Sequence, residues 1–266
     1  MKGQVYAVVL AGRRNDGVLR EASDTAWEAL IDVCGVPMVG RVLSALSGTG
    51  TVAGGVVVGP AEIAAAGLLP PGFALEEPGE TVIENLHRGV AALGRVAPDG
   101  RVPETVLVST SDVPLVRAQM IEAFLAATGD GCLDAYVPVV RRESAEARFP
   151  GVQRTYIHLR DGSFTMGNLF LVGSRLLEAG AGQVSQLDAF VRLRKSPLRM
   201  ARTLGLGLTL GVATHRLSLS QLEEAAAGRL GIRGRAVVQE DPEIGVDVDK
   251  PSDLKLCREV LSDLAS

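Results

Sequence analysis

The sequence predicts an α/β fold, a mostly parallel mixed sheet flanked by helices, and three observations carry that expectation. Short continuous apolar runs recur at residues 5–10, 56–58, 105–108 and 135–140, the length of strands buried on both faces. Between them lie segments whose apolar residues are spaced three and four apart, the period of a helix face. Turn-forming residues close three of the runs: Ala11-Gly12, Gly59-Pro60 and Ser111-Asp112-Val113-Pro114. Strands that alternate with helices in this way pair in parallel and cross over through helices on both faces of the sheet.

In chain order, the first strand is followed by Val36-Pro37-Met38, which leads into a helix marked by Val39, Val42, Leu43 and Leu46. After the second strand, Val82, Ile83, Leu86, Val90 and Leu93 mark a helix over 81–93. Beyond Arg141 the pattern changes. Residues 154–159 and 163–172 read as strands joined by the turn Arg160-Asp161-Gly162-Ser163. Residues 194–208 read as a helix with Pro197 in its first turn, where proline is tolerated. Residues 219–230 read as a helix capped by Ser218 or Ser220, followed by strands at 236–238 and 245–249 and a last helix over 251–264. No repeat or low-complexity linker interrupts the chain. The expectation is one domain over 1–266 whose second part, about 141–235, is elaborated.

Composition narrows the function classes. Apolar residues make up 47% of the chain and the net charge is −4, which fits a globular protein and argues against nucleic acid as a partner. Cys34, Cys132 and Cys257 are widely spaced, so neither a zinc site nor a disulfide framework is indicated. The first apolar run is too short for a signal peptide, and residues 204–213 are too few and too rich in glycine to span a bilayer. These features predict a cytoplasmic protein.

Three segments carry chemistry. The first strand runs into Leu10, Ala11, Gly12, Arg13, Arg14 and Gly17, with Arg20 just beyond. Glycines let backbone N–H groups approach phosphate oxygens, and guanidinium forks bind them in pairs. The same loop could be an ordinary connection with a solvated basic edge; it is neither a GxGxxG fingerprint nor a P-loop. The second segment places Asp112 just after an apolar strand, at the carboxyl edge where open α/β sheets bind ligands, and a carboxylate there suits Mg²⁺. A turn or helix-capping role is the plain alternative. In the third, Asp247 and Asp249 lie two apart and share a face if the segment is extended, a costly pairing unless a cation sits near. Helix capping ahead of Pro251 competes for the same residues, and Asp253 reads as structural.

The strand-LAG loop, the later SDVPL and the closing DVDKPSDL, in that order and spacing, resemble the nucleotidyltransferases of the molybdenum-cofactor guanylyltransferase type. The resemblance covers nearly the whole chain, least clearly over 141–235. It implies a GT-A-like fold of the nucleotide-diphospho-sugar transferase kind, a nucleoside triphosphate and a small-molecule acceptor as substrates, and Mg²⁺ as cofactor. Carried over by position, it implies that residues 10–17 cradle the triphosphate. Asp112 binds the metal, Asp249 completes the metal site with Asp247 nearby, and Arg13, Arg14 or Arg20 meets the departing phosphates. Gly79, Thr81 and Asn85 stand where relatives read base and ribose, although Thr81 and Asn85 also fit a helix start. Gly167 and Asn168, inside a polar cluster with Arg148, Arg154, Thr155, Tyr156, His158 and Thr165, stand where relatives bind the acceptor. A bulge would use the same two residues.

Two departures are specific to this chain. Arg13 replaces the second glycine of LAGG, and Glu28 stands where the family places a lysine at the α- and β-phosphates. A carboxylate there repels a triphosphate unless it binds a cation or an amine. The resemblance therefore leaves two rivals: a GT-A-type glycosyltransferase using a nucleotide-sugar, and a nucleotide-binding protein without catalysis.

Overall fold

The computed structural model describes residues 4–129, 133–178, 210, 211 and 213–265. The strands are β1 (Val5–Leu10), β2 (Asp32–Val33), β3 (Val36–Pro37), β4 (Val52–Val58), β5 (Phe73–Glu76), β6 (Thr105–Thr110), β7 (Ala135–Arg141), β8 (Ile157–Leu159), β9 (Gly162–Met166), β10 (Leu169–Gly173) and β11 (Gly234–Gln239). The helices are α1 (Met38–Ser47), α2 (Glu62–Ala65), α3 (Val82–Leu93), α4 (Ala118–Ala127), α5 (Arg142–Arg148), α6 (Ser174–Glu178), α7 (Leu219–Leu230) and α8 (Pro251–Ala265). Among the described residues one nine-stranded sheet runs β5-β4-β1-β6-β10-β7-β9-β8, with β11 on the other edge of β7. β5, β4, β1 and β6 are parallel, β10 is antiparallel to both β6 and β7, and β11 runs parallel to β7. This is the mixed, mostly parallel sheet that the short apolar runs predict.

Alternation along β1 explains the layering. Val5, Ala7 and Val9 pack with Val42 and Leu43 of α1 and Phe124 of α4, whereas Tyr6 and Val8 pack with Leu86 and Val90 of α3 on the opposite face. A period of two in a strand delivers residues to both sides, and both sides are apolar because both are covered. A third cluster lies apart from the sheet. Val246 and Val248 meet Leu254, Cys257 and Val260 of α8, together with Leu19, Ile31, Val33 and Phe149. No helix among the described residues is long and apolar enough to cross a membrane.

The second half departs from three expectations. Residues 245–249 are not a strand: Gly245 closes a 3-10 turn at Pro242–Gly245, and the Val248 N–H donates to the Asp112 carbonyl at 2.9 Å. The segment is extended enough to keep its alternation, with Val246 and Val248 buried and Asp247 and Asp249 half-buried. Of residues 154–159 only Ile157–Leu159 is strand; ahead of it the Arg154 guanidinium donates to the Gly245 carbonyl. Residues 163–172 form two strands with Gly167 and Asn168 between them; Pro138 on the facing strand has no N–H, so the ladder cannot run through. The helix expected over 194–208 and Cys132 lie outside the described residues.

Candidate active site

The loop after β1 is folded back on the segment that follows it. Ala11 N–H donates to Val58 O at 2.8 Å, Asn15 N–H to Ala26 O at 2.9 Å and Glu28 N–H to Arg13 O at 3.1 Å, with an isolated antiparallel bridge between Arg14 and Trp27. Buried Asn15 locks the fold, its amide donating to Ser23 O at 2.8 Å and Thr25 O at 2.9 Å. Gly12 is needed where it stands, since a Cβ there would meet Pro78 Cβ at 2.6 Å and Asn85 Nδ2 at 3.0 Å.

This folding separates the arginines. Arg14 stacks on the Trp27 ring at 3.7 Å, and Arg20, on the 3-10 turn Val18–Glu21 that Gly17 precedes, donates to Asp24 O at 3.4 Å. Arg13 alone of the three turns to carboxylates: its Nε is 3.2 Å from Glu28 Oε2 and its Nη1 is 3.4 Å from Asp249 Oδ1. Glu28 is buried beneath it with a side chain 5% exposed, whereas the Arg13 side chain is 63% exposed. Burial pushes the Glu28 carboxyl above the ordinary carboxylate range; Arg13 opposes the shift, and Asp112, Asp249 and Asp16 add to it.

Asp112, Asp247 and Asp249 come together. One carboxylate oxygen from each lies within 4.8 Å of the other two, and all three residues are half-buried. Backbone bonds bring them there. Ser111 N–H donates to Leu10 O at 3.1 Å at the end of β6, and Val248 N–H donates to Asp112 O, which lays the 245–249 segment beside the ends of β1 and β6. Asp253 caps α8 from below, accepting from Asp249 N–H and Lys250 N–H at 3.2 Å each. Burial raises its carboxyl above the usual range while those two N–H groups pull it down. The cluster is a set of hard oxygen donors that could hold a metal ion.

The remaining predicted residues divide. Leu10 and Ala11 carry the end of β1 to the cluster. Thr81 caps α3, its hydroxyl accepting from Glu84 N–H at 3.1 Å, and the buried Asn85 Oδ1 accepts from Gly79 N–H at 2.5 Å. All three are thus engaged in shaping the turn that packs on Gly12. Gly167 and Asn168 line a cavity of about 350 Å³ that also reaches Asp247 and Asp249. The close approach at Gly167 is to Ile244 O and Pro138, each 3.0 Å from where a Cβ would stand. Asn168 O accepts from Thr110 N–H at 3.2 Å, tying this wall to the strand that carries Asp112. Arg154 and Lys250 line the same cavity. The sequence reading gave no role to Asn15, within residues 10–17, or to Lys250, in DVDKPSDL; an amide inside a glycine-bounded loop and a cation directly after Asp249 were the available signals.

The chain matches the MobA-like NTP transferase domain family over residues 7–239. A hypothetical transferase from Thermus thermophilus superposes with a TM-score of 0.75 at 34% identity, covering 94% of this chain and 99% of that one. The 4-diphosphocytidyl-2C-methyl-D-erythritol synthase of Anaerococcus prevotii shares the fold with a TM-score of 0.57 at 10% identity, covering 98% of this chain and 96% of its own. A CMP:2-keto-3-deoxy-manno-octonic acid synthetase complexed with CTP does so with a TM-score of 0.56 at 15% identity, over 98% and 100%. A comparison with the curated proteins gives no match.

Proposed function

Because the chain belongs to the MobA-like NTP transferase domain family and is a nucleotidyltransferase, we propose that it moves a nucleoside monophosphate group from a nucleoside triphosphate, with Mg²⁺, to a phosphorylated or cofactor-like small molecule. The observation that carries this is the convergence of Asp112, Asp247 and Asp249 between the Arg13 loop and the 350 Å³ cavity. Three half-buried carboxylates this close repel one another unless a cation joins them, so their chemistry fits Mg²⁺. Mg²⁺ would supply charge neutralisation at the phosphates. Residues 10–17 face the triphosphate, and within them Arg13 meets the charge that develops on departing pyrophosphate. An acceptor oxygen in the cavity forms the new bond to the α-phosphorus as the bond to the β-phosphate oxygen breaks. A phosphate acceptor is already ionised near neutral pH, so the step needs no general base. Arg154 supports an anionic acceptor: it lines the cavity and its buried Nε has no hydrogen-bond partner among the described residues. On this reading Gly167, Asn168 and the elaborated region of about 141–235 form the acceptor side of one unit.

The test is a thermal-shift screen of the four common ribonucleoside triphosphates with Mg²⁺, CTP first because a neighbour is named as its complex, followed by pyrophosphate release with phosphorylated acceptors. Stabilisation by a triphosphate and release of pyrophosphate are expected. Release of nucleoside diphosphate from a nucleotide-sugar would replace this function with glycosyl transfer, and binding without turnover of any acceptor would replace it with nucleotide sensing.

A further inference from the structure

Arg13 touches two carboxylates of different kinds. Its Nε sits 3.2 Å from Glu28, which is buried and tied through its own N–H to Arg13 O; its Nη1 sits 3.4 Å from Asp249, which is half-buried and belongs to the carboxylate cluster. The first contact is anchored on both sides of the chain. The second is longer, exposed at the guanidinium end and flanked by Asp112 and Asp247, so it is the contact more easily given up. A guanidinium is charged at every accessible pH. Asp249 therefore has a resident cation supplied by the loop.

We infer that Arg13 is a built-in competitor for the metal site: it neutralises Asp249 until a divalent cation takes that carboxylate, and Glu28 then keeps the Nε end anchored while the Nη groups are freed for the triphosphate. Glu28 is the positioning residue of this arrangement, which gives a function to a carboxylate where the family places a lysine. The triphosphate half rests on the proposed nucleotidyl transfer; the competition for Asp249 does not.

The experiment is Mn²⁺ titration of the whole protein without nucleotide, read by the electron paramagnetic resonance of free Mn²⁺. An exposed ion pair is worth no more than about 1 kcal/mol, so Arg13→Gln should tighten Mn²⁺ binding by up to about fivefold. Arg14→Gln makes the same charge change on a residue stacked on Trp27 and should shift affinity less than twofold. Glu28→Gln should weaken Mn²⁺ binding, and by less in the Arg13→Gln background than in the wild type, with circular dichroism showing that each variant is folded. Unchanged or weaker Mn²⁺ binding in Arg13→Gln overturns the inference, as does a Glu28 effect that is the same in both backgrounds. A parallel titration with Mg²⁺ and the triphosphate should show several-fold weaker binding for Arg13→Gln. If the Mn²⁺ results hold while the wild type binds no triphosphate, the competition stands and nucleotidyl transfer falls. If the wild type turns over triphosphate while Arg13→Gln leaves Mn²⁺ alone, only the inference falls.

Discussion

The Arg13 loop, proposed as the nucleotide side, and the cavity wall, proposed as the acceptor side, both reach Asp249, and they are held over very different distances along the chain. On the nucleotide side, the bonds that shape the loop join residues 8, 10 and 15 positions apart: Asn15 to Ser23, Asn15 to Thr25, Arg13 to Glu28. On the acceptor side, Arg154 reaches Gly245 across 91 positions and Arg148 pairs with Glu243 across 95. Val248 N–H reaches the Asp112 carbonyl from a segment at least as remote in the sequence. A segment that closes on itself keeps its shape wherever it is placed. A wall assembled from remote segments depends on the cores beneath it, here the cluster of Val246, Val248 and Leu254. The difference predicts where each side breaks.

The junction itself should fail most heavily. Asp112→Asn removes one charge from the shared cluster while leaving the Asp112 backbone bond to Val248 intact. Pyrophosphate release should fall by about 10²–10³-fold, the scale for losing one preorganised electrostatic contact, and Mn²⁺ binding should weaken with it. Turnover within a few-fold of wild type would mean that the cluster is not where the charge of the reaction is handled.

Next come the supports of the two sides. Leu254→Ala opens a cavity in the third core, where Leu254 is 1% exposed, and should cost about 2–5 kcal/mol by urea denaturation. It should also weaken Mn²⁺ binding, because Val246 and Val248, which alternate with Asp247 and Asp249 along the chain, rest on that core. Asn15→Ala deletes the amide that holds Ser23 O and Thr25 O and should cost about 1–3 kcal/mol. Its effect should be local: faster hydrogen exchange at residues 13–28 with Mn²⁺ affinity little changed. If Asn15→Ala disturbs the carboxylate cluster as much as Leu254→Ala does, the two sides are not built differently.

The same contrast explains what could be read from the chain. The four apolar runs, their helices, Thr81 and the capping Ser218 depend on neighbours a few positions away, so period and turn residues disclosed them. The pairing of Asp247 with Asp249 on one face was legible too, although for a partly different reason: the alternation holds without a strand, because Val246 and Val248 are buried by α8 and not by a ladder. Gly167 and Asn168 were visible as an oddity in an apolar strand, but Pro138, whose carbonyl accepts from Gly167 N–H, lies far back in the sequence and no local pattern links them. The arginines were equivalent in sequence. Only the fold-back on Trp27 and Glu28 separates Arg13 from Arg14 and Arg20.

The smallest expected effect concerns Glu28 itself, and its sign can be worked out. Burial raises the carboxyl above its ordinary value of 4.5 despite Arg13, so the folded protein binds a proton more tightly there than the unfolded chain does. Stability then falls as pH rises from about 4.5 through the folded value, and the deficit is complete above it. Glu28→Gln carries no such charge. With chelator present, the melting temperature of Glu28→Gln relative to wild type should therefore rise between pH 4 and pH 7.5, and the variant should be at least as stable at the higher pH. The ion pair with Arg13 pulls the other way. If the variant instead loses ground as pH rises, the attraction to Arg13 exceeds the burial cost, and Glu28 holds the loop by charge more firmly than the position beneath Arg13 implies.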